Sequence, residues 1–223
     1  GHGLPPRPRG RGAAIRGHDV LRVHALRRIP EHGDRRLLVR AVFLDPLGLI
    51  EKHGHEGGDR HPQEFEQPRA EGVGRGLAWA RYKNTGAWCA VVARVQAGEQ
   101  LRVLNLDLAV DVGQVIDLDG VINQTEGGAL QSMSWTLKES VQFDRTRVLT
   151  RSWGDYPVLR FSELPEVKVH VIDRPDQPAL GAGEGAQGPV AAALGNALFD
   201  ALGVRVRHLP LSQDHILRAM HEQ

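Results

Sequence analysis

GEGAQGPVAAALGNALFDALG, residues 183–203, is the stretch on which the fold turns. Val190, Leu194, Leu198 and Leu202 recur at every fourth position, which is the stripe of an amphipathic helix. Pro189 suits the first turn of that helix and Gly203 its stop. Such a stripe must be buried against another layer. The loop ahead of the helix is unusual, because a single carboxylate, Glu184, stands among glycines. Its chemistry is the first functional question the sequence poses.

Strands that can receive the helix lie upstream. GAWCAVVARV (86–95) is a nearly continuous apolar run and predicts a buried strand. Leu104, Leu106, Leu108 and Val110 alternate with more polar neighbours, as do Val167, Val169 and Val171, so each set predicts a strand. A helix is predicted over 121–138 on the spacing of Leu130, Met133 and Leu137. Val141, Phe143 and Val148 frame a hairpin around Asp144–Thr146. VRVRHL (204–209) reads as a short strand. Ser212 is a suitable N-cap for a last helix carrying Ile216, Leu217 and Met220. Strands and helices mix without strict alternation, which predicts an α+β (irregular α/β) fold of mixed sheets packed with helices.

Composition divides the chain. Residues 1–66 are rich in Arg, His, Gly and Pro, whereas 67–223 read as ordinary globular sequence. The first segment is expected to be disordered, or translated from a shifted frame of a GC-rich gene. Within it, RLLVRAVFLDPLGLI (36–50) fits a strand or a helix. His53, His55 and His61 form a weak metal motif with no cysteine beside them. A chain starting at Gly1 is expected to be a fragment or a processed product. Formal net charge is only +1, so bulk charge predicts neither nucleic acid nor membrane as partner. RPRGRG near the start has no aromatic residue beside it for base stacking. No stretch reads as a membrane span. The single cysteine, Cys89, excludes a disulfide framework or a cysteine-ligated iron–sulfur cluster within this sequence. It reads as a small core residue.

GEGAQG fits GxGxxG literally. A dinucleotide site also requires a strand ending directly before the glycines and an acid about 20 residues later. Both are missing, so a nicotinamide-binding dehydrogenase is a minor alternative. Glu184 is then either a solvated loop acid or a general base held beside a bound group. In QTEGG (124–128), paired glycines cost a helix roughly 1 kcal/mol each relative to alanine. They imply packing against another backbone or a ligand. Gln124 and Gln131, seven apart, share a helix face, free to bond a ligand edge or to face water.

Four stretches occur in a telling order: GVGRGLAWARYKNTGAWCAVVARV (72–95), LAVDVGQVIDLDGVINQTEGGALQSMSWTLKE (108–139), SWGDYPVLRFSELPEV (152–167) and IDRPDQPALGAGEGAQGPVAAALGNALFDALGVRVRHLPLS (172–212). Together they resemble the C-terminal molybdopterin-binding domain of the large subunit in the xanthine dehydrogenase/aldehyde oxidase family. The branch is the one typified by isoquinoline 1-oxidoreductase and nicotinate dehydrogenase, and the resemblance covers roughly residues 67–221. This chain carries Asn123 where the family has Gly, and Leu118-Asp119 where it has Asn-Pro. The resemblance implies a fragment of a molybdenum hydroxylase that places water-derived oxygen on an N-heterocycle or aldehyde. Glu184 would be its general base, taking the proton of a metal-held hydroxide. Gln124, Gly127, Gly128, Gly181, Gly183 and Gly185 would contact a molybdenum–molybdopterin cofactor, in the cytosine dinucleotide form. No protein side chain would ligate the metal directly. Asp111-Val112-Gly113 would form a structural turn. The implied partners are a small iron–sulfur subunit, the N-terminal remainder of the large subunit and a small-molecule substrate, in a bacterial cytoplasm or periplasm. A non-catalytic remnant or assembly module of the same fold is the alternative.

Overall fold

A computed structural model describes residues 70–222. The 36–50 run, the 53–61 histidines and the segment 1–66 therefore lie outside the described residues. The elements in chain order are β1 (Val73–Arg81), β2 (Trp88–Gln96), β3 (Arg102–Asp111), α1 (Leu118–Leu137), β4 (Glu166–Ile172), α2 (Gln187–Leu202) and α3 (Gln213–His221). The strands form one mixed sheet in the order β1-β2-β3-β4. β1, β2 and β3 are antiparallel neighbours, and β4 runs parallel to β3. A parallel pair needs a crossover, and α1 with the irregular segment 138–165 supplies it. The architecture is the α+β type that the sequence predicts.

Alternation along the strands builds one core. Cys89, Val91, Ala93 and Val95 of β2 join Leu106, Leu108 and Val110 of β3 beneath Met133 of α1 and Val190, Leu194 and Leu198 of α2. Burial pushes the Cys89 thiol up to about 12, so it stays protonated and inert as a core residue. A smaller cluster of Ala90, Val92 and Ala109 lies apart from this core, packed with Leu77, Trp88 and Ile172.

Strand β1 is not legible in the sequence because Gly74 and Gly76 interrupt its pattern, and interior glycines weaken a strand. Their cause is α2. A Cβ at Gly74 would lie 2.1 Å from the Ala197 carbonyl oxygen, and one at Gly76 would lie 2.1 Å from that of Ala193. The helix thus sits directly on strand backbone, its small residues Ala193 and Ala197 fully buried there. Asn196 Nδ2 donates to the Leu77 carbonyl at 3.0 Å.

Helix α1 begins at Leu118, earlier than predicted, because the Asp117 side chain caps it by accepting from Gly120 N at 3.1 Å. The predicted hairpin is present as a Phe143–Val148 bridge. Asp144 Oδ1 closes it by accepting from Thr146 N and Arg147 N. The predicted strand at 204–209 is absent. Gly203, at φ 71°, turns the chain out of α2. Arg205 then folds back onto that helix, its Nη1 donating to Gly195 O at 3.3 Å and Asn196 Oδ1 at 2.9 Å. Packing one side of an extended segment against a helix yields the same alternation as a ladder would. Ser212 caps α3 by accepting from His215 N at 3.3 Å. Of the three apolar residues expected to seat that helix, only Ile216 is buried.

Candidate functional site

The glycine loop is tied down at its base by an ion pair between a buried carboxylate and a half-buried guanidinium. Asp111 ends β3 and is buried. Its Oδ1 accepts from Gly113 N at 2.9 Å and Arg174 Nε at 3.2 Å, and its Oδ2 pairs with Arg174 Nη2 at 3.0 Å. Gly113 is required by its φ of 68° and by Pro178, whose carbonyl oxygen would stand 2.1 Å from a Cβ. The Asp111-Val112-Gly113 turn therefore has the structural role expected of it.

From this anchor the chain runs toward α2 under main-chain restraint. Leu180 N donates to Val112 O at 2.8 Å and Ala87 N to Gly181 O at 2.9 Å. Gln124 Nε2 of α1 donates to Gly183 O at 2.6 Å. Glu184 follows immediately, with its side chain exposed. Tyr82 donates its hydroxyl to Glu184 Oε2 at 3.0 Å. Tyr82 comes from the β1–β2 connection, where Lys83 and Asn84 take φ values of 47° and 61°. The neighbouring Tyr82 side chain, and after it the charge of Glu184, hold the Lys83 ammonium above its ordinary value. Three chain segments thus meet at one carboxylate, two of them bonded directly to the loop that carries it.

Gln131 faces neither water alone nor an open ligand edge, because it accepts from Gln187 Nε2 at 2.7 Å. Ser132 Oγ donates to Gln187 O at 2.7 Å. These bonds fix the first turn of α2 against α1. Gly128 is buried in that contact, but a Cβ there would stand 3.8 Å from Ala186 and Gln187, an ordinary distance. Gly185 is similar, with Ala182 O at 3.5 Å. Gly127, Gly181 and Gly183 differ, since a Cβ on any of them would meet nothing within 4 Å and none has positive φ. Neither crowding nor backbone conformation within the described residues requires glycine at those three places. The amides of Ala182, Gly183 and Glu184 have no acceptor among the described residues. Beside them, a cavity of about 310 Å³ opens between the start of α1 and the loop, lined by Val112, Ile116, Val121, Gln124, Leu180 and Gly183.

Bare Cα surfaces, unpaired main-chain donors and one anchored carboxylate meet around this loop, features that suit contact with an external group. Known proteins point the same way. Residues 41–165 match the model of the molybdopterin cofactor-binding domain, and the chain belongs to that family. The matched range begins upstream of residue 67, where composition changes. Nicotinate dehydrogenase of Pseudomonas putida has a B subunit that is 39% identical to this chain over 166 residues, a match covering 69% of this chain and 14% of that protein. The beta chain of isoquinoline 1-oxidoreductase from Brevundimonas diminuta is 34% identical over 143 residues, covering 63% and 18% respectively. Among solved structures the chain resembles quinoline 2-oxidoreductase from Pseudomonas putida 86 with a TM-score of 0.55 and 26% identity, over 61% of this chain and 19% of that one. The chain spans less than a fifth of each.

Of the residues singled out in the sequence, Glu184, Gln124 and Gly183 are joined by bonds, and Gly181 and Gly185 share their loop. Gly127 and Gly128 lie on α1, one turn after Gln124. Among the described residues no group of three or more His, Cys, Asp or Glu is placed to hold a metal ion. No helix there is long and apolar enough to cross a membrane. Tyr82 and Lys83 stand beside Glu184 in the candidate site, and sequence reasoning misses them. The KNTG turn between two apolar runs is the available signal, because Asn tolerates positive φ and a hairpin there would carry Tyr82 at its tip.

Proposed function

We propose that this chain is the catalytic-base-bearing part of a molybdenum hydroxylase large subunit, with Glu184 as general base. The observation that carries the reading is the anchoring of Glu184, bonded to Tyr82 on a loop held by Gln124, among glycines that nothing in the described residues requires. Glycine at 127, 181 and 183 permits close approach of a large group, and the free amides of 182–184 suit its oxygen atoms. Molybdopterin bound there would supply molybdenum, a Lewis acid and two-electron acceptor. Gln124 donates its amide nitrogen to Gly183 O, so Oε1 is the atom that would accept a hydrogen bond from the pterin.

Glu184 divides its carboxylate in the same way. Oε2 accepts a hydrogen bond from the Tyr82 hydroxyl, and Oε1 remains to accept the proton that a water-derived nucleophile would give up. Tyr82 also fixes the carboxylate's rotation, so Oε1 is presented in one direction. The substrates named for the relatives are nicotinate, isoquinoline and quinoline. The substrate class proposed here is accordingly an N-heterocycle or aldehyde with an electron-poor carbon. The cofactor would be the cytosine dinucleotide form, with iron–sulfur clusters on a partner subunit carrying electrons away.

Glu184→Gln, made in the native assembly, tests this reading. Molybdenum and pterin content should match wild type while turnover falls at least about 100-fold, the usual contribution of a positioned base. A wild-type assembly free of molybdenum, with Glu184→Gln changing nothing, would identify a non-catalytic remnant instead.

A further inference from the structure

Away from the glycine loop, one face of α3 and the segment entering it enclose a second hollow of about 250 Å³. Its wall carries Arg205, Arg207, His208, His215 and Arg218, opposed by one acid, Glu222. His215, Arg218 and Glu222 fall on one helix face by their spacing. The His208 and His215 rings lie 5.7 Å apart. No acid stands within ion-pair distance of Arg207 or Arg218 among the described residues. Arg207 makes one long bond, from Nη1 to Arg205 O at 3.4 Å. The guanidinium of Arg218 has no partner there, and Glu222 pairs with neither.

Arg205 is fixed on the floor of this hollow by its bonds to α2 and by Phe199, whose ring centroid lies 4.1 Å from its Cζ. Burial, and then the like charge of Arg207, hold its pKa below the usual arginine value. His215 Nδ1 donates to Pro210 O at 2.7 Å, which orients its Nε2, an atom with no hydrogen-bond partner among the described residues. Two guanidinium forks with no acidic partner among the described residues, and an oriented imidazole, around a small space are a donor set for a tetrahedral oxyanion. The volume is too small for a nucleotide-sized ligand but admits a phosphoryl group.

We propose that this hollow is a binding site for a phosphate-type dianion, either the free ion or a phosphoryl group on a small carrier. The inference does not depend on the function proposed above, since none of these residues belongs to the glycine loop or its supports. Calorimetric titration of the native assembly with inorganic phosphate, in phosphate-free buffer, tests it. Saturable binding is expected with Kd near about 1 mM. Arg207→Gln and Arg218→Gln should each weaken it roughly tenfold, the worth of one charged hydrogen bond. Arg94→Gln, an exposed arginine on β2, should leave it unchanged. Phenyl phosphate binding more tightly than the free ion would assign the site to a carrier-borne group, and the reverse order to the ion itself. No saturable heat with either probe, or equal weakening by Arg94→Gln, would overturn the proposal. Arg218→Gln removes no protein hydrogen bond among the described residues, so it keeps the test open should Arg207→Gln, which loses the bond to Arg205 O, fail to assemble.

Discussion

Two groups of glycines in this molecule have opposite causes. Gly74 and Gly76 are glycine because α2 lies on their backbone, with Ala197 O and Ala193 O each 2.1 Å from where a Cβ would be. Gly127, Gly181 and Gly183 have only open space in that direction. The first group serves the fold, and the second group serves no contact among the described residues. Openness alone does not make a site, because Gly98 and Gly195 are also open. What separates the second group is its position around the Glu184 loop and the Gln124 turn of α1. A mutation that tells the two groups apart is therefore worth more than one that merely removes activity.

The largest effect is expected from Gly76→Ala. Its new methyl would meet the backbone of α2, Ala193 O at 2.1 Å and Ala197 N at 2.2 Å, and backbone cannot rotate away as a side chain can. Overpacking of this kind should cost about 3 kcal/mol or more, seen as a collapse of the thermal midpoint or of soluble yield. An unchanged midpoint would show that α2 does not rest on β1. Gly127→Ala should behave in the opposite way. Replacing an open helical glycine by alanine should stabilise α1 by roughly 1 kcal/mol, while molybdopterin content of the purified assembly falls. A variant that is more stable and fully loaded would show that Gly127 does not face the cofactor.

The same contrast explains what is legible in the sequence. Val190, Leu194 and Leu198 announce α2 because burial of an apolar stripe leaves a periodic signal. Glu184 and Gln124 stand out by their glycine-rich surroundings, and the structure joins them through the Gly183 carbonyl. Strand β1 is illegible because its glycines answer to a helix more than a hundred residues away, a cause that local pattern does not carry. Tyr82 escapes notice for a related reason. Its partner is Glu184, and only the hairpin turn brings the two together. The false strand at 204–209 shows the converse error, in which alternation is real but its source is the flank of α2 rather than a neighbouring strand.

The smallest expected effect sharpens a second contrast, between the Asp111–Arg174 pair under the loop and the surface pair that ties α1 to the 138–165 crossover. Lys138 bonds Glu163, and Arg160 N donates to the same carboxylate at 2.9 Å. Lys138 first, and the Arg160 amide after it, hold the Glu163 carboxyl below its ordinary value. A depressed folded-state pKa adds stability that is complete above the unfolded value and is lost as pH falls through the folded one. The tie should therefore be constant through neutral pH and weaken only in acid, below about pH 4. Because both side chains are partly solvated, its worth is at most about 1 kcal/mol. Lys138→Met should remove that acid-dependent part of local protection, read by hydrogen exchange at Leu164 and its neighbours, while leaving exchange in β3 untouched. Equal acid dependence in wild type and variant would mean that the crossover is held by its apolar contacts and by the Leu159 amide bonded to Ser134 Oγ at 3.0 Å, and that the ion pair adds nothing.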